Sequence, residues 1–196
     1  MGVEYELKFA ATAQQLEKLR QIVAPTERFS METTYFDTPD GVLSARRMTL
    51  RLRRENDVTV CTVKTPLPDG GRGEWECFSD RVTVGIDMLC KLGAPAELLE
   101  WTAGGVEPIC GARFAREVRQ MDIGVGTVEI ALDQGVLLGG GKELPFCEME
   151  VELKSGDWAQ AADFAACLAG TQGLKIECRS KFRRALALAR GEEDGL

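Results

Sequence analysis

Near the start of the chain, Glu4-Tyr5-Glu6-Leu7-Lys8 sets two carboxylates and an ammonium on alternate positions, and the spacing returns at Glu150-Val151-Glu152-Leu153-Lys154. In an extended strand, residues two apart share a face. The same period runs through Arg51/Arg53, Glu74/Glu76 and Glu148/Glu150/Glu152, with Lys64 and Arg116 on other strand-like segments. Clustered carboxylates are relieved by a divalent cation with oxygen ligands, and without Cys or His partners the donor set favours Mg2+ or Mn2+ over zinc. Clustered Lys and Arg are relieved by a polyanion, because guanidinium forks match phosphate oxygens in pairs. The joint demand is for a metal-bound, multiply charged phosphate.

Any one of these rows suits the solvated outer face of an antiparallel sheet. Together they differ from one, because an outer face mixes Ser, Thr and Gln with charge, whereas nearly every same-face position here is ionisable. The alternate neighbours are mainly apolar: Tyr5, Leu7, Leu50, Leu52, Val63, Trp75, Met149, Val151 and Leu153. A closed barrel, charged inside and packed outside by helices, accounts for both sets. Like charges brought together there repel more strongly as the local dielectric falls, so a bound counter-ion is required.

The elements that must position these rows can be read from periodicity and turn signals. Leu16, Leu19, Ile22 and Val23 fall at helical spacing behind Thr12, which predicts a capped helix over 12–23 that ends before Pro25. Strands are predicted around Thr33 to Thr38, Leu50 to Arg53, Val58 to Lys64 and Glu74 to Glu76, with a hairpin turn at Pro68-Asp69-Gly70-Gly71. Helical pieces follow between Gly85 and Gly105. Strands resume over Arg113 to Met121, Val128 to Asp133 and Pro145 to Lys154, with turns expected at Gly124, Gly126, Gly135 and Gly139-Gly140-Gly141. Ala-rich stretches from Asp157 to Ala169 and Ser180 to Arg190 read as helices.

The chain has 196 residues and 44% hydrophobic content, which suits one domain, here 1–190, followed by a polar tail at 191–196. Its net charge of −7 disfavours a nucleic-acid surface, so an anionic ligand has to meet a local basic cluster. No apolar run approaches a membrane span, no export signal opens the chain, and a cytoplasmic protein is expected. Seven scattered cysteines, never in a C-x-x-C pair, read as small core residues rather than disulfides or zinc ligands. The absence of histidine removes Ser-His and Cys-His catalysis.

In order along the chain, Glu4/Glu6/Lys8, Tyr35-Phe36-Asp37-Thr38-Pro39, Leu50-Arg51-Leu52-Arg53, Val63-Lys64, Glu74-Trp75-Glu76, Glu129 to Asp133, Glu148 to Glu152 and Ser180-Lys181-Phe182 resemble the CYTH domain of the triphosphate tunnel metalloenzymes. The likeness is greatest to bacterial members described as inorganic triphosphatases, some of which carry a further helical domain, so the chain reads as a standalone form or an excised domain. The resemblance implies an α+β fold: a closed barrel of eight antiparallel strands with flanking helices and a lumen that binds a linear triphosphate. Lys8, Arg51, Arg53, Lys64, Arg116 and Lys181 would hold phosphates, with Glu74 and Glu76 also contributing. Arg113 competes with Arg116 for its role. Glu4, Glu6, Glu150 and Glu152 would bind metal, with Glu148 and Asp133 as further metal ligands and Glu129 as a lumen carboxylate. Catalysis would centre on Glu4, Glu6, Lys8, Arg53 and Lys64.

Without histidine, a carboxylate or a metal-bound hydroxide has to serve as the base. The implied activity is metal-dependent hydrolysis of a terminal phosphoanhydride, with inorganic triphosphate as substrate, in a monomer or homodimer without nucleic-acid or membrane partners. Thiamine triphosphate, a nucleoside triphosphate, or cyclisation of ATP are alternatives. A non-catalytic polyphosphate or nucleotide sensor is another. Tyr35 and Trp75 read as packing residues before ring-stacking ones, and Lys154 reads as a solvent-facing residue near a strand end.

Overall fold

Alternation of apolar and charged residues produces strands at each position where it was read, and most run longer than the sequence suggested. The computed structural model describes residues 2–67 and 72–192, with backbone alone for residues 2–4. In chain order the elements are β1 (Gly2–Glu4), β2 (Glu6–Ala10), α1 (Ala13–Val23), β3 (Glu27–Asp37), α2 (Val42–Ala45), β4 (Thr49–Glu55), β5 (Val58–Pro66) and β6 (Arg72–Phe78). They continue with α3 (Val82–Lys91), α4 (Glu97–Trp101), β7 (Glu107–Asp122), β8 (Gly126–Gly139), β9 (Lys142–Gly156), α5 (Trp158–Thr171), β10 (Lys175–Ile176) and α6 (Lys181–Arg190). The turn expected at Pro68 to Gly71 lies outside the described residues, as do residues 193–196 of the polar tail.

The strands form one antiparallel sheet in the order β1-β6-β5-β4-β3-β7-β8-β9-β2-β10. β10 is only two residues long, and β1 and β2 are one segment interrupted at Tyr5, so eight principal strands remain. That segment is shared between distant walls: Gly2 to Glu4 pair with β6, while Glu6 to Ala10 pair with β9. Among the described residues no ladder joins the edge strands β1 and β10, so the sheet is not closed by hydrogen bonds as a complete barrel would be. The two walls are tied instead by the covalent chain through Tyr5, whose ring packs 5.6 Å from that of Trp158.

Helices cover the apolar face. Leu16, Leu19 and Val23 of α1 and Ala161, Ala165 and Ala169 of α5 pack on Val128, Ile130, Met149 and Val151. On the other side, α3 and α4 bury Ile86, Leu89 and Leu98 against Leu50, Val63 and Trp75. Trp75 therefore belongs to the core. The α1 start is fixed by a capping box, with Gln15 N–H donating to Thr12 Oγ1 at 3.2 Å and Thr12 N–H donating to Gln15 Oε1 at 2.8 Å. The Tyr-Phe-Asp-Thr-Pro run owes its aspartate to a turn: buried Asp37 accepts from the N–H groups of Leu43 and Ser44 at 2.8 and 2.9 Å and so anchors α2.

Some expectations are corrected. Gly135 is not a turn but lies inside β8, where a Cβ would sit 2.2 Å from the Arg113 carbonyl oxygen; glycine lets β7 and β8 approach closely. Cys167 and Cys178 are exposed rather than core residues, because they fall on the solvent sides of their segments; all seven cysteines are free.

Candidate functional site

The charged face encloses a cavity of about 360 Å³. Strand register sorts one wall into rows. Glu6 of β2 opposes Glu152 of β9, which opposes Glu129 of β8; the next row holds Lys8, Glu150 and Ala131; the one beyond holds Ala10, Glu148, Asp133 and, on β7, Arg116. The facing wall is built from β4, β5 and β6, with Lys64 opposite Glu74, and Arg51 and Glu76 flanking Thr62. Thr33, Tyr35, Phe114 and Arg116 line the cavity from β3 and β7, and the start of α6 contributes Ser180, Lys181 and Phe182.

Most cations on these walls stand beside a carboxylate, and Arg72 donates to the Arg47 carbonyl and the Thr49 hydroxyl. Arg51 is 3.6 Å from Glu74 and 3.8 Å from Glu76, and Lys64 is 3.2 Å from Glu74. Arg53 Nε donates to Glu55 at 2.6 Å; burial and neighbouring Arg51 push its guanidinium below its ordinary value. Lys8 bridges Glu6 at 3.0 Å and Glu150 at 3.6 Å.

One end of the cavity is filled by α6. Its N-cap Ser180, whose hydroxyl accepts from Arg183 N–H at 3.2 Å, sets Lys181 at the first helical position. The Lys181 ammonium lies 2.6 Å from Asp133 and 2.9 Å from Glu150 and also contacts Glu148; Arg184 reaches Glu148, and Arg116 reaches both Asp133, at 2.7 Å, and Glu150. Burial works to remove the Lys181 proton, yet Asp133, Glu150 and Glu148 hold it above its usual value.

Of the residues singled out by sequence, the cavity gathers Glu6, Lys8, Arg51, Arg53, Lys64, Glu74, Glu76, Arg116, Glu129, Glu150, Glu152 and Lys181. Asp133 and Glu148 sit behind them, fully buried. Arg113 points away, with its side chain 60% exposed and 3.0 Å from Glu143. The Glu4 side chain lies outside the described residues. Tyr35 is buried with its ring 5.1 Å from that of Phe182. Lys154 lines the cavity while its side chain stays 34% exposed, so it meets both the cavity and solvent. Sequence reasoning missed Arg184 and Arg72. The former was readable, since it lies three residues beyond Lys181 and so on the same helix face.

Two groups of carboxylates have the chemistry of a hard divalent ion. Glu6, Glu150 and Glu152 line the cavity from neighbouring strands and offer oxygen donors alone, the type that suits Mg2+ or Mn2+, although among the described residues their oxygens do not form a group as close as the second one. Asp133, Glu148 and Glu150 bring oxygens within 4.8 Å of one another. In that second group Lys181, Arg116 and Arg184 already supply the neutralising charge, so an ion there has to displace fixed cations.

The buried network makes stability depend on acidity. Burial raises the Glu150 carboxyl, but Lys181, Arg116 and Lys8 outweigh it and hold the group well below the carboxylate range, whereas burial pushes neighbouring Glu148 up. A depressed carboxyl stabilises the fold above its unfolded value of about 4.3 and loses that contribution as pH falls toward the folded value. Urea unfolding from pH 7 to pH 3 is expected to show this loss, and Glu150→Gln is expected to remove that part of the slope.

A model of the CYTH domain matches residues 2–186. The chain is 27% identical over 192 residues to an inorganic triphosphatase of Haemophilus influenzae, covering 94% of this chain and 54% of the relative. It therefore spans about half the length of that curated relative. Among solved structures, the PH1819 protein of Pyrococcus horikoshii OT3 superposes with a TM-score of 0.66 at 23% identity, covering 94% of this chain and 99% of that one. HpAC1 from Hippeastrum, an adenylyl cyclase by name with a dominant triphosphatase activity, superposes at 0.65 with 18% identity, covering 98% and 97%. At these identities the two structures share the fold.

Proposed function

Because the chain belongs to the CYTH domain family, we propose that it is a divalent-metal-dependent phosphoanhydride hydrolase that cleaves the terminal phosphate of inorganic triphosphate in the β-walled cavity. The observation that carries this reading is the cavity itself: cations from both walls and from α6 face one space, and a row of carboxylates borders it. A linear triphosphate presents charge along its whole length, and this space offers cations along its walls. Lys8, Arg51, Arg53, Lys64, Arg116 and Lys181 hold the phosphate oxygens, the guanidinium groups in paired contacts. Each exchanges part of its present carboxylate contact for phosphate.

Glu6, Glu150 and Glu152, with Glu4, would hold Mg2+ or Mn2+, which when bound offsets phosphate charge and activates water for attack. The chain's own share is positioning and fixed positive charge, which carry most of the catalysis of phosphoryl transfer. Arg53 and Lys64 face the cavity from the wall opposite Glu6 and Lys8, so an anion between them is gripped from both sides. A wall carboxylate accepts the proton of the attacking water, since the chain has no histidine.

Phosphate release measured with tripolyphosphate, ATP and thiamine triphosphate side by side, in Mg2+, Mn2+ or chelator, tests the reading. Fastest release from tripolyphosphate, abolished by chelator, is expected. Release from none of the three would favour a binding module instead.

A further inference from the structure

The row Glu6, Glu152 and Glu129 sets three carboxylates side by side on β2, β9 and β8, each directly opposite the next. Like charges in direct cross-strand register destabilise a sheet unless a counter-charge meets them. Lys8 serves Glu6. For the other two, the Lys154 ammonium lies 2.9 Å from Glu152 and 3.5 Å from Glu129. Alternation with Glu150 and Glu152 sets Lys154 on this face, and a break in the ladder falls at the same residue. Val128 pairs with Leu153 and Thr127 with Ser155, so the register shifts there and Lys154 is the extra residue without a Cα partner on β8. Such bulges re-aim side chains beside functional sites. Here Lys154 keeps the face of Glu150 and Glu152 set by strand alternation, and the bulge leaves it without a cross-strand residue opposite, beside Glu129 and Glu152.

We propose that Lys154 is a built-in counter-cation that holds Glu129 and Glu152 together and limits this side of the cavity to one divalent ion, bound toward Glu6 and Glu150. The inference rests on the metal-binding role proposed above for Glu6, Glu150 and Glu152. One ammonium between two carboxylates occupies the position that a second bridging divalent ion would need. Removing its charge leaves Glu129 and Glu152 opposed, an oxygen-only pair suited to a hard cation. Lys154 is thus a positioning residue that acts through the carboxylates and sets how many ions the cavity takes up.

The test counts Mn2+ bound to substrate-free protein, by titration calorimetry and by electron paramagnetic resonance of unbound Mn2+. Wild type is expected to bind one ion and Lys154→Met two, with Lys154→Arg returning to one and Lys154→Met/Glu129→Gln also returning to one. Without metal, Lys154→Met is expected to melt about 2–4 °C below wild type and to recover that loss in Mn2+. Should Lys154→Met fail to fold, Lys154→Gln replaces it. One ion in both wild type and the neutral variant overturns the proposal while leaving the metal reading intact, and weaker tripolyphosphate binding at unchanged ion number would make Lys154 a phosphate ligand instead. No ion bound to either protein overturns the metal reading and this inference together.

Discussion

Lys181→Met is expected to lower the unfolding free energy by about 3–5 kcal/mol, the cost of removing one partner from a buried ion pair. The size follows from what stays behind. Lys181 is 8% exposed, and it stands against fully buried Asp133 and Glu148 and nearly buried Glu150. Methionine matches much of the volume of the stem and none of the charge, so three carboxylates would share Arg116, Arg184 and Lys8 alone. Two adjoining rings add to the effect, since the Lys181 ammonium lies 5.0 Å from the centroid of Phe114 and 5.5 Å from that of Phe146. Chemical denaturation at pH 7 measures the loss. Adding Asp133→Asn to the variant should restore part of it, because a neutral amide leaves one fewer charge to satisfy; no recovery would mean that the helix contact, not charge balance, carries the stability.

Glu6→Gln is expected to lower metal-dependent phosphate release from tripolyphosphate by about 10²–10³-fold, the range seen when one group that stabilises the transition state is lost. Its melting temperature should stay near that of wild type. The contrast with Lys181 lies in burial: the Glu6 side chain is 31% exposed and pairs with Lys8 at 3.0 Å, so its charge contributes little to the fold. Arg53→Ala is expected to lose turnover on a similar scale from the opposite wall, whereas Arg113→Ala, outside the cavity, should not. Wild-type rates in folded Glu6→Gln or Arg53→Ala would sink the assignment.

Much of this site was legible because strand periodicity is strict. Once Glu6, Lys8, Arg51, Arg53, Glu74, Glu76, Glu150 and Glu152 were read as inward, one two-residue period sufficed to bring them onto the cavity face. Helix starts were legible too, since Thr12, Asp157 and Ser180 are short polar side chains whose oxygens satisfy unpaired helical N–H groups. What failed was information carried by neighbours in space. Gly135 resembles a turn until the close approach of β7 is known, and Lys154, exposed near a strand end, shows its contacts with Glu152 and Glu129 only once the neighbouring strand is in place. The N-terminal segment reads as one continuous strand, yet it divides at Tyr5 between β6 and β9, a split decided by how far apart those walls stand.

The ion pairs that line the cavity set the energetics of filling it. Because Lys8, Arg51, Lys64 and Lys181 already lean on carboxylates, an entering anion competes with those carboxylates for them. Each cation that turns toward phosphate sets an acidic group adrift, and that group gains from a positive ion of its own. Occupancy by a polyanion and occupancy by a divalent cation are therefore thermodynamically linked: whichever arrives first tightens the other by the same factor, and either one alone meets the resistance of a cavity that is already electrically at rest.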